Sequence, residues 1–114
     1  MKFKVDSGLE LVASEWGNKN DPLVVLMHGG GQTRHAWGST GETLCESGFY
    51  VLSLDLRGHG DSQWHPDGDY LIESYKSDLI SILNQVGKPA SLVGASLGGM
   101  VSLSLASDLS KKDL

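Results

Sequence analysis

Several kinds of residue are scarce in this sequence, and each scarcity excludes a class of protein. The 114 residues include a single cysteine, Cys45, so no internal disulfide and no thiolate metal site can form. No apolar run approaches the ~20 residues that span a bilayer, and the first residues lack the apolar core of a signal peptide. These absences predict a cytoplasmic protein with no membrane partner.

Positive charge is also scarce, which excludes nucleic acid as a partner. Nine Lys and Arg stand against fourteen Asp and Glu, giving a formal net charge of -5. No basic stripe is available to neutralise phosphates, and the one basic pair, Lys111–Lys112, is interpreted as part of a solvated tail. The remaining composition, 39% hydrophobic and 20% charged, is typical of one globular domain with a buried core.

The chain does contain apolar runs that alternate with segments of helical periodicity. The first sixteen residues predict two short strands around a turn at 6–8. Continuous apolar runs predict three further strands, at 23–27, 49–54 and 90–93. Helical patterns predict three helices, at 37–47, 71–86 and 97–109. Strands that alternate with helices indicate the α/β class, with a mostly parallel sheet and flanking helices.

A glycine-rich stretch follows each of the three apolar strands. Ligands of parallel sheets bind at the carboxyl ends of the strands. The stretches at 28–31, 55–62 and 94–99 all lie at such ends. Their convergence predicts a functional site at this edge of the sheet.

The last of these stretches, G-A-S-L-G at 94–98, places a serine between glycines where a strand gives way to a helix. This spacing makes a sharp turn that raises the hydroxyl above the sheet, with a strained serine backbone that only small neighbours tolerate. Ser96 is therefore the candidate nucleophile, and its hydroxyl needs a general base. The pentapeptide alone also fits a tight turn without chemistry.

The first stretch, M-H-G-G-G at 27–31, would supply the partner of such a nucleophile. Exposed amides on a glycine run can form an anion-binding concavity, and acyl transfer needs donors of this kind for its oxyanion. We assign one donor to the amide of Gly30 and the other to the amide of Leu97, the residue after the serine.

With these motifs in view, the chain resembles the α/β-hydrolase family, in its esterase, haloperoxidase and epoxide-hydrolase branch. The stretches L-V-V-L-M-H-G-G-G followed by a tryptophan, D-L-R-G-H-G-D-S and L-V-G-A-S-L-G-G resemble three motifs of that family, in the family order. The resemblance implies a serine hydrolase of ester or related acyl substrates, with Ser96, Gly30 and Leu97 at the catalytic site and no metal or organic cofactor. A serine at position 96 disfavours the branches with a carboxylate nucleophile.

Other conspicuous residues are interpreted as structural. The loops are expected to be shaped by polar side chains, namely His28, Asp55, Arg57, His59 and Ser62. Trp37 is expected to be a packing anchor near the rim of the site, Cys45 to be a buried small apolar residue, and His35 and His65 to be exposed. Along the last helix, the packing candidates are Met100, Val101, Leu103 and Leu105.

The resemblance also shows what the sequence lacks. The family triad runs Ser, then Asp or Glu, then His. After Ser96 this sequence has two acidic residues, Asp108 and Asp113, and no histidine. We therefore interpret residues 1–114 as the amino-terminal part of an α/β-hydrolase domain, without its lid and carboxyl-terminal half. The chain alone is expected to be inactive or very weak. Its last strand would be an exposed edge that favours self-association.

Two other classes of function compete with this interpretation. One is a non-catalytic fragment or interaction module that keeps the fold and has lost the chemistry. The other, a nucleotide-binding βαβ module, is disfavoured because Arg34 stands where G-x-G-x-x-G requires its last glycine, and no G-x-x-x-x-G-K-[ST] motif is present.

Overall fold

A five-stranded sheet with helices on both faces forms the framework of the computed structural model, which describes residues 1–108. The strands are β1 (Lys2–Lys4), β2 (Glu10–Trp16), β3 (Leu23–Met27), β4 (Tyr50–Leu54) and β5 (Ala90–Gly94). The helices are α1 (Gly38–Glu46), α2 (Ile72–Val86) and α3 (Leu97–Asp108), and a short 3₁₀ helix at Arg34–Trp37 precedes α1. Every predicted strand and helix is confirmed to within two residues; the predicted end of the last helix, Leu109, lies outside the described residues.

The order of the strands places the three glycine-rich loops side by side. The sheet runs β1-β2-β4-β3-β5, with β3, β4 and β5 parallel and the two amino-terminal strands antiparallel. Met27, at the end of β3, is in register with Leu54 of β4 and with Gly94 of β5. The three parallel strands therefore end level with one another, and the loops that follow them begin at one edge.

Burial on both faces explains the continuous apolar runs of β3 and β4. All five residues of each strand are buried. Successive side chains point to opposite faces, so Val25 and Met27 join the cluster under α2 and α3 while Val24 and Leu26 join a second cluster. Trp37 packs against that second cluster, as predicted.

Helix α3 packs closely on the sheet on one side. The prediction that Met100 and Leu103 are packing residues of this helix is wrong. Gly98, Val101 and Leu105 are buried at three- and four-residue steps. Met100 and Leu103, in contrast, are 55% and 72% exposed, because they project from the other side of the helix. Leu103 lines a cleft together with Ala90 and Leu92 of β5, which is the last strand of the sheet among residues 1–108.

Two predictions of burial outside α3 also need correction. Cys45 is half-buried rather than buried, because α1 covers the sheet with only part of its surface. His65 is half-buried rather than exposed, because its Nδ1 accepts hydrogen bonds from the amides of Asp67 and Asp69, both at 3.2 Å. His35 is exposed, as predicted.

Helix α2 carries a buried charge whose partner lies on the loop after β4. Asp78 lies off the apolar stripe of the helix, yet it is only 3% exposed. Its two carboxylate oxygens accept hydrogen bonds from Nε and Nη2 of Arg57, each at 2.7 Å, and Arg57 is itself 2% exposed. This bidentate pair ties the loop to the helix. The hydrogen bond with Asp78 also raises the pKa of Arg57.

None of the helices between residues 1 and 108 combines the length and apolar character that crossing a membrane requires.

Candidate active site

The turn at Ser96 has the strained geometry that the sequence predicts. Its φ of 54° makes Ser96 the one non-glycine residue within residues 1–108 in the left-handed region. A Cβ on Gly94 would overlap backbone atoms of Gly98, and a Cβ on Gly98 would lie 2.7 Å from the Cβ of Met27. Both positions thus have room only for hydrogen. Ser96 is exposed at the start of α3, where the helix dipole favours negative charge.

Two backbone hydrogen bonds join this turn to the end of β3. The amide of Ala95 donates to the Met27 carbonyl and the amide of Gly98 to the His28 carbonyl, each at 3.2 Å. A Cβ on Gly29 would lie 3.6 Å from the carbonyl oxygen of Ala95. The structure therefore brings the serine turn and the glycine run of residues 28–31 into direct contact.

The glycine run forms a tight turn in which the amide of Gly30 is left as a free donor among the described residues. Residues 29–32 close it through two bonds: Gln32 N–H donates to the Gly29 carbonyl at 3.1 Å, and Gly29 N–H donates to Gln32 Oε1 at 3.0 Å. Gly31, with φ of 79°, occupies the position of a type II turn that favours glycine. Within residues 1–108, the amides of Gly30 and Leu97 have no hydrogen-bond partner. Gly30 is exposed and Leu97 half-buried.

His28 braces the base of this loop, as predicted. The side chain is fully buried, and its Nε2 accepts a hydrogen bond from the amide of Leu56 at 3.1 Å. The proton is therefore on Nδ1, which donates to the Gly29 carbonyl at 2.7 Å. Burial lowers the pKa of His28 from its ordinary value of 6.5, so the ring is neutral.

Asp55 also has the structural role that was predicted. Its carboxylate accepts hydrogen bonds from the amides of Arg34 and Asp61, at 2.7 and 2.9 Å, and forms an ion pair with the Arg34 guanidinium. Burial alone would raise the pKa of Asp55, but these bonds outweigh it and hold the pKa below its ordinary value. Asp55 thus fixes the loops after β3 and β4 to each other.

The buried neutral His28 predicts a loss of stability at mildly acidic pH. The unfolded chain takes up a proton at His28 below pH 6.5, whereas the folded chain, with its lowered pKa, takes it up only at lower pH. The unfolded state then binds more protons, so the free energy of unfolding falls as pH drops below 6.5, by at most about 1.4 kcal/mol per pH unit from this group. Urea titrations at pH 7.5, 6.5 and 5.5 measure the slope.

The control for this prediction is the exposed His35. The variant His28→Gln is expected to be less stable at pH 7.5 and to show a smaller slope below pH 6.5, whereas His35→Gln should keep the slope of the wild type. A His28→Gln slope equal to that of the wild type would contradict the assignment.

Three of the four histidines offer no free lone pair to Ser96. The Nε2 atoms of His28 and His59 accept hydrogen bonds from the Leu56 and Gly31 amides, at 3.1 and 3.0 Å. Nδ1 of His65 is likewise an acceptor. A neutral imidazole has one lone pair for this purpose, so none of these rings is available as general base in this structure.

A mixed sheet whose parallel strands β3 and β5 end at a glycine run and a serine turn has the arrangement of a hydrolase-type α/β domain. A family model described as the alpha/beta hydrolase fold matches residues 22–112, and the chain therefore belongs to the alpha/beta hydrolase family. The predicted fold class and resemblance are confirmed.

Individual relatives of the chain have several activities. It is 38% identical over 95 residues to an esterase of Mycobacterium tuberculosis, covering 82% of this chain and 30% of the esterase. It is 36% identical over 92 residues to the sn-1-specific diacylglycerol lipase of Mus musculus, covering 79% of this chain and 29% of the lipase. The crystal structure of epoxide hydrolase A from Mycobacterium thermoresistibile matches with a TM-score of 0.87 and 30% identity, over 99% of this chain and 35% of that one. The chain thus spans about a third of the length of these relatives.

Two residues that support the glycine run were not predicted. Gln32 closes the turn at residues 29–32, and Arg34 holds Asp55 through its amide and guanidinium. Both follow a glycine-rich stretch at a strand end, where polar side chains commonly reach neighbouring loops. For Gln32, this position in the sequence is a signal from which the contact could have been predicted. The sequence holds no comparable signal that Arg34 pairs with Asp55.

Proposed function

We propose that this chain supplies the nucleophile and the oxyanion hole of a serine hydrolase that acts on carboxylic esters or related acyl compounds. The observation that carries the proposal is the left-handed backbone of exposed Ser96, enforced by flanking glycines and placed against residues 28–31. A strained serine at the amino end of a helix has the geometry of a nucleophile elbow.

The proposed reaction begins at the Ser96 hydroxyl. Its Oγ attacks the carbonyl carbon of the ester while a histidine takes the hydroxyl proton, and the carbonyl oxygen becomes an oxyanion held by the amides of Gly30 and Leu97. The carbon–oxygen bond to the alcohol then breaks, and the histidine returns the proton to the leaving alkoxide. Water then attacks the acyl carbon while the same histidine takes its proton. The bond from that carbon to Oγ breaks, and the histidine returns the proton to Oγ as the acid leaves.

The base and its acid partner are proposed to lie outside these 114 residues. No histidine follows Ser96 in the sequence, and three of those that precede it have their lone pairs engaged. The relatives include proteins named esterase and epoxide hydrolase. We favour ester chemistry for this chain because position 96 holds a hydroxyl rather than a carboxylate. A cytoplasmic location stays a prediction from the sequence.

A fluorophosphonate probe tests the proposal directly. With imidazole supplied as an external base, we expect covalent labelling of the folded chain at Ser96, at a rate that rises with imidazole concentration. Ser96→Ala should remove the label, and Ser107→Ala, which changes an exposed serine of α3, should keep it. A well-folded sample that stays unlabelled would favour the alternative, an interaction module without chemistry.

The exposed edge of β5 predicts self-association. This strand has no neighbour on one side within residues 1–108, and Val93 on it is 38% exposed. Because an unpaired apolar edge can pair with another chain, size-exclusion chromatography with light scattering should show dimers or larger species. Val93→Lys is expected to shift the population to monomer, and Leu71→Lys, at an exposed apolar residue before α2, is the matched control. Monomeric wild type at high concentration would contradict this prediction.

A further inference from the structure

The side chain of His59 crosses from the loop after β4 to the glycine run after β3. Its Nε2 lies 3.0 Å from the amide nitrogen of Gly31, and its Nδ1 lies 2.9 Å from the carbonyl oxygen of Arg57. An amide can only donate, so Nε2 is the acceptor and carries no proton. Nδ1 then carries the proton and donates to Arg57. The ring is a neutral bridge with both nitrogens in use.

Backbone contacts on both sides hold His59 in this position. Its amide donates to the Leu56 carbonyl and its carbonyl accepts from the Ser62 amide, each at 3.0 Å. The flanking glycines, Gly58 and Gly60, have φ of 76° and 51°. A Cβ on Gly58 would lie 2.7 Å from the Tyr70 ring, and one on Gly60 would overlap the carboxylate of Asp55. The loop therefore presents the ring from one fixed backbone position.

The imidazole ring of His59 is also packed against the ring of His28. Its centroid lies 4.8 Å from that of His28, with the planes inclined by 49°. On another side it lines a cleft of about 230 Å³ with Arg57, Gly58, Trp64, Tyr70 and Tyr75. Of these, Arg57 directs its charge to Asp78. The ring is thus restrained by packing as well as by its two hydrogen bonds.

The glycine run, by contrast, has little of its own to hold it. Gly30 and Gly31 are the central residues of the turn at 29–32, both are exposed, and neither has a side chain to pack. Glycine has more backbone freedom than any other residue. Within residues 1–108, the bond from Gly31 to His59 is the one hydrogen bond that the two central residues make outside the turn. It fixes the peptide unit next to the Gly30 amide.

We propose that His59 is a positioning residue of the oxyanion hole: by holding the Gly31 amide, it keeps the Gly30 amide directed at the place where the oxyanion forms. The expected effect on catalysis rests on the proposed function, whereas the expected effect on the Gly31 amide does not. An oxyanion donor acts only if it is already oriented when charge develops. A displaced Gly30 amide should therefore lower kcat and leave KM nearly unchanged.

The test compares His59→Phe, His59→Gln and the control His35→Phe, at an exposed histidine of the neighbouring 3₁₀ helix. The phenyl ring keeps the packing and removes both hydrogen bonds, whereas the Gln side chain offers an amide oxygen as acceptor. In His59→Phe we expect hydrogen exchange of the Gly31 amide, followed by NMR, to accelerate at least ~10-fold. We also expect kcat for p-nitrophenyl butyrate to fall ~10- to 100-fold, measured in a longer polypeptide that carries the proposed triad acid and histidine. This decrease is smaller than the one caused by removing an oxyanion donor altogether.

The inference is supported if His59→Gln recovers the slow exchange of the Gly31 amide and the kcat of the wild type, and if His35→Phe behaves like the wild type. Unchanged Gly31 exchange in His59→Phe overturns it, as does a kcat loss that Gln fails to recover in a folded variant. Hydrolysis that survives Ser96→Ala would defeat the proposed function instead, and the Gly31 exchange would still report on the bridge.

Discussion

Replacing Ser96 with alanine is expected to lower kcat for ester hydrolysis by about 10⁶-fold when the triad acid and histidine are present. Loss of the nucleophile from a serine triad costs about as much as loss of the whole triad. A residual acceleration of ~10³–10⁴ over water would remain, because the amides of Gly30 and Leu97 and the binding surface are untouched.

The measurement is a steady-state assay with p-nitrophenyl butyrate. Ser107→Ala, on the exposed side of α3, serves as the control and should retain full activity. The free energy of unfolding of Ser96→Ala should stay close to that of the wild type, because the Ser96 side chain is exposed. A kcat within tenfold of the wild type would show that another group is the nucleophile.

Breaking the buried ion pair between Arg57 and Asp78 is expected to cause a large loss of stability. Asp78→Asn leaves the Arg57 guanidinium, 2% exposed, without its buried counter-charge, and the Asp69 carboxylate that remains lies 3.8 Å away and is 38% exposed. Removal of one partner from such a pair costs ~3–5 kcal/mol, a large share of the ~5–15 kcal/mol that stabilises a typical domain. Urea denaturation of the folded chain measures this loss.

A matched control for this loss is the exposed pair between Lys2 and Glu10, 3.6 Å apart. Glu10→Gln should change the free energy of unfolding by less than ~1 kcal/mol, since exposed pairs contribute little. The double variant Arg57→Met/Asp78→Leu should recover part of the loss, because neither charge then needs to be buried. If Asp78→Asn and Glu10→Gln lose equal stability, burial is not what makes the pair important.

Most of the fold follows from local patterns in the sequence. The strand ends at Met27, Leu54 and Gly94 are marked by apolar runs that give way to polar or glycine-rich segments. The need for glycine at positions 94 and 98 follows from the close approach of the start of α3 to the ends of β5 and β3, which the motif implies. These features depend on residues near one another in the chain, so periodicity and turn chemistry are enough to predict them.

Contacts between distant segments could not be predicted in the same way. Asp78 is an acidic residue on a helix, and only its pairing with a residue 21 positions earlier makes burial favourable. Met100 and Leu103 have the composition of core residues, but their side of α3 is uncovered among residues 1–108. The bridge from His59 to Gly31 joins two loops that become neighbours only because β3 and β4 pair in parallel.

The place of β3 between β4 and β5 has a consequence for how the chain folds. Both of these neighbours are made later on the ribosome, so β3 waits for its hydrogen-bonding partners. Pairings between segments so far apart slow the search for the native state. The proposed nucleophile Ser96 and the Gly30 amide therefore come together only after β5 has been made and has paired with β3. A nascent chain that ends before residue 94 cannot yet hold the two side by side.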